Sequence, residues 1–303
     1  MPIMTQHGRG WKWRTGPLGS IAGAHGSPSG PAFAEIAGPF CPENRTKVVM
    51  QRRRFLPETH RVVATAFVAA FIAVHAGGAS AQSAAEFCLA ANQSLSLGIG
   101  LPRTAAHLKA GSLRVVAVGS SSTTGLWVLS SDATYPGVMR RELAALRPAA
   151  QVEVINSGRI GDTVSGSMAR FQNDVLAYTP DLVIWQLGTN DVAWGGRADG
   201  LKEQTVAGVR ALKADGADVI LMDLQYAPLI LASSQHELMQ ATIAEVAQQE
   251  HVGLFSRFAL MRRSVEAGLP AGALVSWDGL HNSAAGYDCL GRALARAIHA
   301  GAR

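Results

Sequence analysis

The chain has 303 residues and is 48% hydrophobic, enough apolar content to bury a large core, so a wholly disordered protein is excluded. Its formal charge of +5 is concentrated at one end: nine of the 27 Lys/Arg but only three of the 22 Asp/Glu fall in residues 1–81, which leaves residues 82–303 close to neutral. Without clustered phosphate-neutralising charge in the body of the protein, no nucleic-acid partner is expected.

Residues 1–49 are rich in Gly and Pro and show no apolar periodicity, a composition that cannot build a packed core. They read either as an over-extended start ahead of Met50 or as a disordered extension. Residues 50–81 carry the succession of an export signal: Arg52, Arg53, Arg54 and Arg61 form a charged region, Val62 to Val74 an apolar one, and Ala79-Ser80-Ala81 a cleavage site. Thirteen apolar residues at about 1.5 Å each fall well short of a hydrocarbon core about 30 Å thick, so no stable membrane anchor is expected. Arg52-Arg53-Arg54-Phe55-Leu56 also resembles a twin-arginine motif, with the ordinary secretory route still open. The expectation is an exported protein, periplasmic or secreted, cut after Ala81.

From residue 82 onward, short apolar runs alternate with amphipathic stretches, the pattern of βαβ units and a mainly parallel sheet. Strands are expected at Leu113 to Val118, Val152 to Ile155, Leu182 to Leu187, Asp218 to Met222 and Val252 to Phe255. Between them, a helix starts near Pro136, where a helix tolerates proline, and stops before Pro148; a second runs through "HELMQATIAEVAQQE" at helical spacing. Ser283 can cap a closing helix whose Leu290, Leu294 and Ile298 share a face. The expected architecture is α/β: a single three-layer αβα domain of flavodoxin-like type over residues 82–303, with a five-stranded, mainly parallel sheet.

Parallel strands place their carboxyl ends on one rim, where a rigid sheet positions reactive groups. Four segments belong there: Gly119-Ser120-Ser121-Ser122-Thr123-Thr124-Gly125, "NSGRIGDT" from Asn156 to Thr163, "LGTND" from Leu187 to Asp191, and "DGLH" from Asp278 to His281. Alone, each is ordinary turn chemistry. Their order and spacing together resemble the SGNH hydrolases, also called GDSL esterases and lipases, over nearly all of residues 113–298. By that resemblance Ser121 is the nucleophile, Asp278 and His281 are the acid and base, and Ser121, Gly161 and Asn190 form the oxyanion hole. Ser120 stands where the family usually has aspartate, so a role for that carboxylate has no counterpart here.

The chemistry independently asks for these residue types. A serine hydroxyl is a weak nucleophile until an imidazole takes its proton, and the imidazole needs a carboxylate to fix its tautomer. Of the histidines after residue 81, His107 lies upstream of the first strand, His236 and His251 bound one helix, and His299 sits in the last turn. Only His281 has a nearby carboxylate in a rim loop. Gly158 competes with Gly161 as a backbone donor, Asp191 is expected to support its loop, and Gln225 and Tyr226 are candidates for lining the substrate cleft. No metal or cofactor is expected, because His-x-x-x-His, Cys-x-x-Cys and a complete phosphate-binding loop are all missing from the sequence. Cys88 and Cys289 remain as an even pair once Cys41 is removed with the signal, which suits a disulfide in an oxidising compartment.

The expected function is an exported serine esterase acting through an acyl-enzyme on an acyl or acetyl ester, whether a small molecule or an acylated carbohydrate. An O-acyltransferase acting on a sugar hydroxyl and a non-catalytic cleft-binding protein are the alternatives.

Overall fold

In a computed structural model of the protein, residues 4–7, 10–13, 83–93 and 95–303 are described. The export-signal expectation at residues 50–81 lies outside them. Near the start, Met4–His7 and Gly10–Trp13 pair antiparallel, with Met4 opposite Trp13. The sequence reading places no element there. A two-stranded hairpin needs only local backbone pairing and by itself is marginally stable at best.

The other described residues form one αβα body. Its sheet comprises β1 (Ser112–Gly119), β2 (Gln151–Gly158), β3 (Leu182–Gln186), β4 (Asp218–Met222) and β5 (Gly253–Phe255), in the order β2-β1-β3-β4-β5. All four pairings are parallel, so the flavodoxin-like expectation holds with no antiparallel edge. Register is set by the period of two. Val115, Ala117, Leu182, Ile184, Ile220 and Met222 face one apolar layer, while Val116, Val118, Val183, Trp185, Val219 and Leu221 face the other. β3 is buried at every position and sits centrally, whereas β2 at the edge is only partly covered.

The first layer is built by α1 (Ala84–Ala91), α2 (Pro102–Ala110), α4 (Tyr135–Leu146), α7 (Arg257–Glu266) and α8 (Ala284–Gly301); a single turn, α3 (Ser121–Thr124), follows β1. The second layer contains α5 (Leu201–Lys213) and α6 (His236–Gln249). Helix ends follow their capping residues. Thr134 accepts from the Gly137 N–H at the start of α4, and Ser283 accepts from the Gly286 N–H at the start of α8. Leu290, Leu294 and Ile298 of α8 are buried against the sheet, each contributing about 1.5–3 kcal/mol of transfer free energy. Cys88 on α1 is disulfide-bonded to Cys289 on α8, with Cα atoms 6.1 Å apart. No helix among the described residues is long and apolar enough to cross a membrane.

Candidate active site

At the carboxyl end of β1 the chain turns sharply into α3, and Gly119 is required at the turn. A Cβ there would lie 2.5 Å from Thr123 Oγ1 and 2.8 Å from both Cβ and the carbonyl oxygen of Gln186. Ser120 then points inward: its N–H and its hydroxyl both donate to Gln186 Oε1 at 2.9 Å, and Thr123 Oγ1 donates to the same oxygen at 3.2 Å. The position that resembles the family's aspartate is therefore a buried hydroxyl tying the loop to the end of β3. Ser122 is also buried.

Ser121 is the one serine of the three whose hydroxyl meets an imidazole. Its Oγ lies 2.7 Å from His281 Nε2, and His281 Nδ1 lies 2.6 Å from Asp278 Oδ2. An ionised carboxylate only accepts, so Nδ1 carries the proton and Nε2 accepts from the serine hydroxyl. The other carboxylate oxygen, Oδ1, accepts from the backbone N–H groups of Leu280 and His281, both at 3.0 Å. Burial pushes the Asp278 carboxyl up, but hydrogen bonds from His281, Leu280 and the Trp127 indole outweigh it and hold the group well below the usual carboxylate range.

Opposite the serine, the loops after β2 and β3 come together. Gly161 has φ +79° with open space where a Cβ would stand, so it is the backbone angle that demands glycine. Gly158 is excluded as a donor because its N–H already bonds Asn156 Oδ1 at 3.0 Å; its own constraint is close approach, since a Cβ would lie 2.2 Å from Thr124 N. Asn190 Nδ2 donates to the Asp162 carbonyl at 2.8 Å, which fixes the amide and leaves its second N–H for another acceptor. Asp191 accepts from the Val164 N–H through both oxygens at 3.1 and 3.2 Å, and burial pushes its carboxyl up.

Arg170 joins these pieces, and nothing in its sequence setting marks it. Its nearly buried guanidinium donates to the Gly119 carbonyl at 3.2 Å, the Ser157 carbonyl and hydroxyl at 2.9 Å, and Asp162 Oδ2 at 2.6 and 2.9 Å. One side chain thus ties the strand end before Ser121 to the loop that carries Gly161 and accepts from Asn190.

Gln225 does not line a cleft. It is 1% exposed; its Oε1 accepts from Thr189 Oγ1 at 2.9 Å and its amide donates to the Leu280 carbonyl at 3.0 Å. With Arg257, which donates to Thr189 Oγ1 and to the Asp223 carbonyl, it braces the Asn190 loop against the His281 loop from below. Burial lowers the Arg257 guanidinium to about 10 and pushes the Asp223 carboxyl up to about 6. Tyr226 is half-buried with its ring edge-on to Phe258, centroids 5.2 Å apart. The sequence placed both residues after the fourth strand but could not say which way they point.

A hollow of about 390 Å³ instead lies between the loops after β3 and β4, lined by residues including Ala193, Trp194, Leu229 and Ser233. The Leu229 N–H donates to the Gly279 carbonyl, so this wall adjoins the loop bearing Asp278 and His281. Around the rim stand exposed apolar side chains: Trp127, Ile160, Trp194 and Trp277. Among the other histidines, His107 does meet a carboxylate, Asp181 at 3.1 Å, but at the amino end of β3, on the far edge of the sheet.

Comparison with known proteins adds one deciding fact: the non-GDSL lipase-like family matches residues 87–303. The chain belongs to that family. An acetylxylan esterase of Geobacillus stearothermophilus is 27% identical over 169 residues, covering 52% of this chain and 76% of that protein. An arylesterase of Vibrio mimicus is 27% identical over 115 residues, covering 38% of this chain and 56% of that protein. The crystal structure of a lipase/acylhydrolase from Enterococcus faecalis superposes with a TM-score of 0.54 at 23% identity over 62% of this chain and 96% of its own, a likeness of fold. Family membership joins the αβα scaffold to the serine loop that the fold presents at its rim.

Proposed function

We propose that this member of the non-GDSL lipase-like family is an exported serine esterase that cleaves an acyl or acetyl ester through an acyl-enzyme at Ser121. Its coarse class is that of its curated relatives: it is a hydrolase of ester bonds. The finer reading rests on one observation, the chain of contacts from Ser121 Oγ through His281 to Asp278 at 2.7 and 2.6 Å.

In this mechanism His281 Nε2 takes the hydroxyl proton as Ser121 Oγ attacks the ester carbonyl. The resulting oxyanion is received by the N–H groups of Ser121 and Gly161, which bond no protein acceptor among the described residues, and by the free N–H of Asn190. One such donor is worth about 3–4 kcal/mol in the transition state. Collapse expels the alcohol, which takes the proton from His281. A water then attacks the acyl-enzyme, giving a proton to His281, and as the intermediate collapses His281 returns that proton to Ser121 Oγ and the carboxylic acid product leaves. Asp278 stays ionised throughout and stabilises the imidazolium.

The acetylated carbohydrate named for the Geobacillus relative and the exposed tryptophans at the rim support an acetylated sugar as the substrate class, since aromatic faces suit sugar rings. Export is supported by the succession of residues 50–81 and by the Cys88–Cys289 bond, which suits an oxidising compartment. The decisive experiment is labelling with a fluorophosphonate probe and peptide mapping, beside acetate release from acetylated xylan and from p-nitrophenyl esters of increasing chain length. Label on Ser121 with acetate release is the expected result. Failure to label would refute the acyl-enzyme, and transfer of acyl groups to added sugars in place of water would make the protein an acyltransferase.

A further inference from the structure

The indole of Trp127 donates to Asp278 Oδ2 at 2.7 Å, the same oxygen that receives the proton of His281 Nδ1. Together with the two backbone N–H groups on Oδ1, this brings four donors to one carboxylate, about as many as its lone pairs accept. A second observation points the same way. Trp127 sits at φ +74°, a left-handed backbone that bulky residues rarely adopt, so the fold holds it there at a cost in strain. Burial does not repay that cost, because Trp127 is 51% exposed. What the conformation achieves is to turn the indole N–H onto Asp278 and to set its ring 5.1 Å from Trp277, the residue before that aspartate.

We propose that Trp127 is a positioning residue for the reaction: its indole N–H locks the Asp278 carboxylate in the orientation that aligns His281 with Ser121. The inference rests on the serine-esterase reading of the site. Three consequences follow from the chemistry. First, the carboxylate cannot rotate away while the imidazole changes protonation. Second, Oδ2 is shared between two donors, so removing the indole N–H leaves its negative charge facing His281 Nδ1 alone. Third, the donor comes from the loop just after the nucleophile, so the serine loop and the acid–base loop are coupled directly.

Other groups near the pair do not mimic this effect. Tyr287 on α8 donates to the Leu126 carbonyl at 3.0 Å, and burial pushes its phenol well above the usual range, so it stays neutral. Arg257 donates to the Asp223 carbonyl and to Thr189 Oγ1. From α3 the facing group is the Ser121 hydroxyl itself.

The test compares unaltered enzyme with Trp127→Phe, which keeps an aromatic ring and removes the donor. The rate of Ser121 labelling by a fluorophosphonate is followed against pH, which needs no knowledge of the natural ester. The midpoint of the acid limb should move to higher pH by about half a unit or more, since a neutral hydrogen bond is worth about 0.5–1.5 kcal/mol and one unit corresponds to 1.36 kcal/mol. A slower rate with an unmoved midpoint, or a midpoint moved downward, would overturn the proposal, because a purely structural contact changes the rate alone. Nuclear magnetic resonance of indole-labelled, unaltered enzyme gives a readout independent of the variant's folding. One indole N–H signal should shift with the midpoint of the labelling profile, and the proposal fails if none does. If Ser121 of the unaltered enzyme never labels, the esterase reading fails instead, a result distinct from a silent indole.

Discussion

Replacing Arg170 by methionine removes the guanidinium and keeps much of its length. In the native protein the Arg170 and Asp162 side chains are 7% and 4% exposed, so solvent screens their contact little. The substitution leaves the Asp162 carboxylate with the Ser167 hydroxyl at 2.9 Å and no cation, and leaves the Gly119 and Ser157 carbonyls without their side-chain donor. Breaking a buried pair from one side typically costs about 3–5 kcal/mol. For a body of this size, 1 kcal/mol moves the melting temperature by about 2–4 °C, so a fall of roughly 6–20 °C is expected. Turnover should fall as well, because the strand end before Ser121 and the loop accepting from Asn190 lose their common tie. Urea and thermal melts beside p-nitrophenyl acetate hydrolysis measure both effects. Adding Asp162→Asn to Arg170→Met should recover part of the stability, since the second change removes the stranded charge. A loss below about 1 kcal/mol with unchanged turnover would refute the staple.

In the serine cluster, Ser121→Ala should cost roughly three or more powers of ten in turnover, whereas Ser120→Ala and Ser122→Ala should retain measurable activity; probe label on Ser120 would overturn the assignment. The Cys88–Cys289 bond joins residues 201 apart in sequence. The chain-entropy picture allows it up to about 5 kcal/mol, so Cys88→Ala with Cys289→Ala should lower stability by about 2–5 kcal/mol in urea melts. Two alkylatable thiols at these positions in oxidised protein would show the pair to be open. For export, amino-terminal sequencing of protein recovered outside the cytoplasm should begin at Gln82; intact residues 1–81 on cytoplasmic protein would refute both cleavage and compartment.

The αβα scaffold was legible in the sequence because it rests on local periodicity. β-branched runs such as "LRVVAV" alternate faces, Thr134 and Ser283 cap helices through their own side chains, and parallel strands necessarily send their loops to one rim. The same strand ends and capped helix place the loops bearing Ser121, Asp278 and His281 on one rim, while the choice of those residues within the loops rests on the resemblance to the SGNH hydrolases. Interior orientation was not legible. Gln225 and Tyr226 follow a strand as a cleft residue would, yet Gln225 turns inward to bond Thr189 and Leu280, because that choice is made by donors and acceptors on other elements. Trp127 and Arg170 carry no local signal, Trp127 because its partner lies far along the chain and Arg170 because its tie to the strand end before Ser121 does. Trp127 is 151 residues from Asp278, and the guanidinium of Arg170 reaches back 51 residues to Gly119. Periodicity and capping act over a few residues and are written into the order of side chains. The Trp127 indole meets Asp278 only when the whole sheet has brought distant loops together.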